Sequence, residues 1–158
     1  MVLVIADVLD AETARAFLDK AGKLEWRDGR VTAGATAKGA KQNEQADLTS
    51  PSGRKLQEAL AKIIASHSVL IAAARPKRFS NLLLSRTEKN GRYAPHIDNA
   101  LMQKNGAPLR SDLSFTLFLT PPDTYEGGEL VIHTAGAAQT VKGRSGDLVL
   151  YPSSSIHE

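Results

Sequence analysis

The sequence predicts an α+β fold that is mainly β, with helices in its N-terminal part and an antiparallel jelly roll after them. Apolar residues recur at helical spacing before residue 77, and beyond it they form short runs separated by Gly, Pro, Asp and Asn. The 158 residues, 42% of them hydrophobic, suffice for one buried core and not for two. We therefore expect one domain, in which a helical part over 1–76 packs on one sheet of a β part over 77–158.

Two amphipathic helices are predicted in the N-terminal part. Asp10 can cap the first, and Gly22 is placed to end it. Ser50 can cap the second, the proline that follows suits the first helical position, and the helix should end before Pro76. One face of each helix carries residues at three-and-four spacing: Ala14, Phe17, Leu18 and Ala21, then Leu56, Leu60, Ile63, Ile64 and His67. The segment 33–46 is small and polar without a sustained period, so we expect a loop there.

Four strands are predicted in the C-terminal part from runs rich in apolar and β-branched residues. The runs are FSNLLLS at 79–85, LSFTLFL at 113–119, ELVIHT at 129–134 and DLVLYP at 147–152. Turns are expected at 125–128 and 145–147, where glycine accompanies polar residues. Apolar side chains occupy both alternating sets of positions in the second run, so we expect that strand to bury both faces and interpret it as core packing alone.

Composition and charge exclude several classes of function. The chain has no cysteine, so disulfides, thiolate metal sites and cysteine nucleophiles are excluded, and any metal must be bound through nitrogen and oxygen. The net charge is +3, but the basic residues between 75 and 92 lack interleaved stacking aromatics, so we interpret them as a solvated face and expect no nucleic acid. The apolar N-terminal run ends at Ala6 without a basic leader, which predicts a cytoplasmic protein with no membrane span. Homo-oligomerisation stays open.

His96 and Asp98 are the strongest candidates for chemistry. They lie two apart in YAPHIDNA, so in an extended segment both side chains project from the same face. His157 follows the run DLVLYP and can supply a third ligand, because a jelly roll brings a late strand back beside an earlier one. Two imidazoles and one carboxylate leave three octahedral positions open, as non-haem Fe(II) oxygenases require. The alternative is a stabilising zinc ion, or no ion at all.

Other residues of similar type are assigned to packing, to the surface or to a turn. His67 lies on the apolar face of the second predicted helix, and His133 ends the run ELVIHT, where a surface position is favoured. Tyr93 is expected to pack beside the segment that carries His96. The pair Gly127 and Gly128 forms a turn and not a phosphate cradle, because no helix follows it.

Longer stretches of the chain resemble a known family, the bacterial PKHD-type hydroxylases among the prolyl and lysyl hydroxylase-like dioxygenases that use Fe(II) and 2-oxoglutarate. The resemblance covers most of the chain and runs through DGRVTAG at 28–34, YAPHIDNALM at 93–102, RSDLSFTLFLTPPDTYEGGELVI at 110–132 and GDLVLYPSSSIHE at 146–158. It implies a double-stranded β-helix with the family's iron ligands at His96, Asp98 and His157. It also implies 2-oxoglutarate and O2 as cosubstrates, with L-ascorbate (vitamin C) as an accessory.

The activity that the resemblance implies is hydroxylation of an unactivated C–H bond in a peptidyl or small-molecule substrate, with succinate and CO2 as co-products. The family carries an arginine for the far carboxylate of 2-oxoglutarate roughly ten residues after the distal histidine, a bidentate role that lysine fills poorly. We therefore expect this arginine and the closing strand to lie beyond Glu158, in a chain that is C-terminally truncated. Thr87 stands where the family commonly has a tyrosine, so a phenol that could touch the cosubstrate is missing there.

Two other functions compete with the oxygenase. A zinc hydrolase could use the same three ligands with a metal-bound water, but it needs a general base that the sequence does not identify. A cupin-like metal-binding module could keep the ligands and lack catalysis, because the arginine for the cosubstrate is not in the chain. An arginine just downstream in the gene would weaken the second of these.

Overall fold

Three helices and a series of small antiparallel sheets form the fold in a computed structural model, which describes residues 2–32, 38–104 and 106–158. The helices are α1 Ala11–Ala21, α2 Pro51–Ser66 and α3 Ser68–Ala74. The strands are β1 Leu3–Ile5, β2 Trp26–Asp28, β3 Lys41–Gln42, β4 Glu44–Ala46, β5 Ser85–Arg86, β6 Arg92–Tyr93, β7 Leu101–Lys104, β8 Ala107–Arg110, β9 Leu113–Leu117, β10 Leu130–Thr134, β11 Ala137–Val141 and β12 Leu148–Pro152. Short 3-10 turns occupy Gly29–Thr32, Lys38–Ala40 and Pro122–Thr124.

Both predicted helix starts are confirmed. The Asp10 carboxylate accepts a hydrogen bond from the Thr13 amide at 2.6 Å. Hydrogen bonding to Thr13 holds the pKa of Asp10 below its usual value. The Ser50 hydroxyl accepts from the Gly53 amide at 3.1 Å. Each cap satisfies an amide that the first helical turn leaves without a partner, so the two helix starts are set locally.

The second predicted helix is wrong in one respect, because the structure divides it at His67. The backbone of His67 is extended (φ −72°, ψ 115°), and its Nδ1 accepts a hydrogen bond from the Leu70 amide at 3.4 Å, which caps α3. Its imidazole therefore caps the helix locally, and α3 ends at Ala74, ahead of Pro76 as expected. Within the described ranges no single helix is long and apolar enough to cross a membrane. Only α2 and α3 taken together reach the length and composition of a membrane span, and the two helices are bent by 70° at the break between them.

The central sheet has the strand order β1–β12–β9, and all its pairs are antiparallel. β12 lies in the middle, with Leu150 opposite Leu3 on one side and opposite Phe115 on the other. The remaining sheets are also antiparallel and have the orders β10–β11, β2–β4–β5, β3–β6 and β7–β8. The predicted strands at 113–119, 129–134 and 147–152 are confirmed as β9, β10 and β12.

β12 is buried on both faces, and each face belongs to a different core. Leu148 and Leu150 pack among residues of the three helices, which cover this side of the sheet as predicted. Val149 and Tyr151 pack on the opposite side against Leu130 and Ile132 of β10. Because side chains alternate along a strand, one five-residue segment joins the helical layer to the β10–β11 hairpin.

The two predicted turns are confirmed, and glycine is required in both. Gly127 and Gly128 have φ values of 68° and 71°, which are unfavourable for residues with a side chain. Gly146 has φ 94°, and a Cβ there would lie 2.0 Å from the Leu9 carbonyl oxygen. The Leu9 amide donates to the Gly146 carbonyl at 3.2 Å, so this turn ties the entry of β12 to the start of α1.

The predicted loop at 33–46 is wrong for residues 38–46, and residues 33–37 lie outside the described part. β3 and β4 form there, and β4 pairs with both β2 and β5. The sequence shows no apolar period because the side chains buried in these strands are polar: Lys41 and Gln45 are 4% and 7% exposed. Pattern reading detects strands through buried apolar side chains, and these strands bury few.

The predicted strand at 79–85 is also wrong, apart from Ser85 at the start of β5. Side chains satisfy two of its carbonyl groups: Lys104 Nζ donates to Phe79 O at 2.7 Å, and Gln57 Nε2 donates to Leu82 O at 2.9 Å. Pairing with β4 begins only at the end of the segment, where the Ala46 amide donates to Leu84 O at 2.9 Å. Phe79, Leu82 and Leu84 pack against the helical core, whereas Leu83 is 59% exposed. Its hydrophobicity therefore reflects burial without a strand ladder.

We expect Leu148→Ala to lower the free energy of unfolding by about 2–5 kcal/mol, because the side chain is fully buried and its removal leaves a cavity. Val4→Ala on the neighbouring strand is the control, since Val4 is 51% exposed and its truncation should have little effect. Urea unfolding of the two variants measures the difference. Equal stability losses would contradict a core centred on β12.

Candidate metal centre

Backbone hydrogen bonds bring the two ends of the predicted site together. His96 and His157 exchange both amide-to-carbonyl bonds, at 3.0 and 2.9 Å, as an antiparallel bridge. On its other edge the segment around His157 pairs with β10, where Glu158 and Val131 exchange backbone hydrogen bonds of 3.0 and 2.9 Å. The segment 156–158 therefore lies between the backbone of His96 and β10, although 60 residues separate the two histidines in sequence.

The side chains of His96, Asp98 and His157 converge at this bridge. Asp98 Oδ1 lies 3.9 Å from His96 Nε2 and 3.8 Å from His157 Nε2, and the ligand atoms of the three residues lie within 4.8 Å of one another. Metal–donor bonds of roughly 2.0–2.2 Å allow two donors on one ion to be up to ~4.4 Å apart, so one ion can reach both pairs. Among the described residues, this is the group of histidine and carboxylate side chains that could hold a metal.

Each imidazole is oriented by a carbonyl group two residues before it. His96 Nδ1 lies 2.9 Å from Ala94 O, and His157 Nδ1 lies 3.0 Å from Ser155 O. A carbonyl oxygen only accepts, so each Nδ1 carries a proton and each Nε2 keeps its lone pair toward the site. Burial also lowers the pKa of His96, which favours the neutral form that a metal requires.

Asp98 is the most solvent-accessible of the three side chains, at 35% exposure against 7% for His96 and 6% for His157. Its amide donates to Ser153 O at 3.2 Å, and its Oδ2 accepts from the Ser114 hydroxyl at 2.5 Å. Sequence reading missed Ser114, because the strand that carries it was assigned to core packing alone. The available signal was a polar side chain at an alternating position of that strand.

Aromatic rings and a buried ammonium group surround the histidines. The Tyr93 ring stacks on His96 with centroids 3.5 Å apart, so it packs beside the site as expected. The Tyr151 ring lies 4.9 Å from His157, and burial raises the pKa of this phenol to about 12. Lys41 Nζ lies 5.1 Å from the Tyr93 centroid; burial lowers the pKa of Lys41, while the charge of Asp98 opposes that shift. The site is therefore bounded by two phenols whose pKa values are raised and by a buried lysine amine whose pKa is lowered.

The other histidines lie outside this group. His133 is 42% exposed on its side chain, and its Nε2 lies 3.3 Å from Glu158 Oε1, which agrees with the predicted surface role. His67 lies in the helical layer, where it caps α3. Thr87 lies next to Gly91, where an added Cβ would come within 2.8 Å of its methyl group. The phenols that contact the histidines in the described structure are those of Tyr93 and Tyr151.

Sequence comparisons with known proteins agree on one family. A profile described as the 2OG-Fe(II) oxygenase superfamily matches residues 82–158. A PKHD-type hydroxylase of Hyphomonas neptunium is 44% identical over 155 residues, which cover 98% of this chain and 69% of that protein. The PKHD-type hydroxylase YbiX of Shigella dysenteriae is 41% identical, with 99% and 70% covered. The crystal structure of a Pseudomonas putida prolyl-4-hydroxylase aligns with a TM-score of 0.63 at 16% identity over 99% of this chain and 82% of that one, a likeness of fold alone.

We expect Asp98→Ala and His157→Ala each to weaken the binding of Co(II), used as a divalent probe, by more than the ~10–100-fold that changes around a ligand typically cost. His133→Ala is the matched control, because it removes an exposed imidazole close to the same backbone bridge. Titration followed by visible absorption gives the three affinities. An affinity equal to that of the unmodified chain in either test variant would remove that residue from the ligand set.

Proposed function

The chain belongs to the PKHD-type hydroxylases of the 2OG-Fe(II) oxygenase superfamily, and from this premise we propose that it hydroxylates an unactivated C–H bond with Fe(II) and 2-oxoglutarate. The observation that carries the proposal is the convergence of His96, Asp98 and His157, whose ligand atoms lie within 4.8 Å of one another inside the matched region. When bound, Fe(II) together with 2-oxoglutarate and O2 supplies the oxidising power for hydroxylation, with succinate and CO2 as co-products.

In this proposal the chain's own residues hold the metal and keep it accessible. His96 and His157 would bind through Nε2, which their carbonyl-bound Nδ1 atoms leave as the donor. Asp98 would bind through Oδ1, the oxygen that faces both imidazoles. Because the imidazoles are buried and the carboxylate is partly exposed, the substrate would approach from the side of Asp98.

The surroundings of the three ligands support an oxygenase over a zinc hydrolase. A hydrolase needs a general base beside the metal. Of the described side chains that contact the ligands, Tyr93 and Tyr151 have raised pKa values because of burial, and the Ser114 hydroxyl already donates a hydrogen bond to Asp98. Protonated phenols and a hydroxyl committed to a carboxylate are poor bases at neutral pH.

The finer features of the fold belong to the same proposal. We propose a single dioxygenase domain built on a double-stranded β-helix, with L-ascorbate as an accessory that maintains the ferrous state. Two observations support this architecture. Strand β12 is buried between two packed layers, and the fold aligns with that of the prolyl-4-hydroxylase at a TM-score of 0.63. The proposal covers peptidyl and small-molecule substrates alike.

The proposal predicts that the chain forms a ternary complex with Fe(II) and 2-oxoglutarate. Anaerobic addition of Fe(II), then 2-oxoglutarate, should produce a visible charge-transfer band, and O2 should bleach the band with release of succinate. His133→Ala should behave like the unmodified chain, whereas His157→Ala should give no band. Bound iron without a band would contradict oxygenase activity of this chain and favour a metal-binding module, or a truncated chain, that lacks catalysis.

A further inference from the structure

The two oxygens of Asp98 have different environments. Oδ1 faces the imidazoles, 3.9 Å from His96 Nε2 and 3.8 Å from His157 Nε2. Oδ2 accepts the Ser114 hydroxyl at 2.5 Å, a separation typical of a strong hydrogen bond to a charged carboxylate. One oxygen is therefore directed at the site, while the other is engaged by the protein.

Both partners of this hydrogen bond are anchored to the end of β12. Ser114 lies on β9 in register with Tyr151 of β12. Asp98 is attached to the residue that follows β12, because its amide donates to Ser153 O at 3.2 Å. The serine hydroxyl and the carboxylate thus approach each other from two backbone segments held by the same strand, so little conformational freedom is lost when their bond forms.

A hydrogen bond of this kind matters because the carboxylate is partly exposed. At 35% exposure, the Asp98 side chain can rotate and exchange its partners for water unless the protein fixes it. A free carboxylate can bind a cation through one oxygen or through both. Engagement of Oδ2 by Ser114 makes binding through Oδ1 alone the favoured mode, because binding through both oxygens would cost the short hydrogen bond.

We propose that Ser114 is a positioning residue that keeps Asp98 a one-oxygen ligand and thereby sets the number of open positions on the metal. The inference rests on the proposed function. Three single-atom donors leave three positions of an octahedron, enough for a cosubstrate that binds through two atoms and for O2. A carboxylate bound through both oxygens would leave two positions, so the cosubstrate and O2 could not both bind.

The test compares Ser114→Ala with Ser114→Thr, which keeps a hydroxyl, using the whole chain and Co(II) as the probe. The control is Ser145→Ala. Its hydroxyl donates at 2.6 Å to Leu119 O, a backbone acceptor at the opposite end of the β9–β12 pair. Infrared difference spectra of protein labelled with carboxyl-13C aspartate measure the gap between the antisymmetric and symmetric carboxylate stretches, which is wider for one-oxygen than for two-oxygen binding. Co(II) affinity and Tm are measured on the same samples.

Ser114→Ala should narrow the gap between the two stretches and weaken Co(II) binding about tenfold, the lower end of the ~10–100-fold typical of residues that orient metal ligands. Ser114→Thr should restore both values, and Ser145→Ala should change neither. An unchanged gap in Ser114→Ala overturns the inference, including the case in which Tm falls, since that result marks a structural hydroxyl. If Ser114→Ala does not fold, Ser114→Cys replaces it, because a thiol is close in size to the hydroxyl but forms a weaker hydrogen bond to Asp98. The gap between the two carboxylate stretches in that variant then decides the question.

Failure of the inference can be distinguished from failure of the proposed function. If the unmodified chain binds no Co(II), the metal site and the role of Ser114 are both wrong. If the chain shows one-oxygen binding that depends on Ser114 but gives no charge-transfer band with Fe(II) and 2-oxoglutarate, the positioning role stands and the oxygenase activity is wrong.

Discussion

The reciprocal backbone bridge between His96 and His157 is the constraint on which the rest of the site depends. Residues that exchange both backbone hydrogen bonds in an antiparallel pair lie directly opposite each other, so their side chains share one face. The two rings are accordingly only 4.2 Å apart. A slip of one residue would turn every side chain of one segment to the other face, where Ile97 and Ile156 now point. The register is fixed further because the C-terminal segment also pairs with β10.

The same local hydrogen bond orients both imidazoles, although they lie in separate parts of the chain. Each Nδ1 faces the carbonyl of the residue two positions earlier, so the ring orientation follows from the local backbone once the register is set. Tyr93 stacks on the His96 ring, and Tyr151 packs against the His157 ring. Nearly complete burial is tolerable because the polar Nδ1 atoms are hydrogen-bonded, while the Nε2 atoms face Asp98 Oδ1 in the site.

Local rules predicted the parts of the fold that local interactions decide. The Asp10 and Ser50 caps, the glycines of the two turns and the same-face geometry of His96 and Asp98 follow from the residues themselves. Failures occurred where a distant partner decides. The carbonyls of Phe79 and Leu82 accept from side chains of β7 and α2, and Lys41 is buried beneath a tyrosine 52 residues later in the chain. Ser114 belongs with these failures, because only the folded chain brings its hydroxyl to Asp98.

The carbonyl-fixed tautomers also bear on which metal occupies the site. A nitrogen and oxygen donor set whose members are already oriented loses little entropy when a cation arrives, so its affinity reflects mainly the intrinsic preference of the donors. For divalent first-row ions that preference rises from manganese and iron to copper and is also higher for zinc than for iron. A preassembled site of this kind does not select iron by shape. Its metal content would follow the supply of each ion in the surroundings, and competing zinc or copper would displace iron wherever their free concentrations allow.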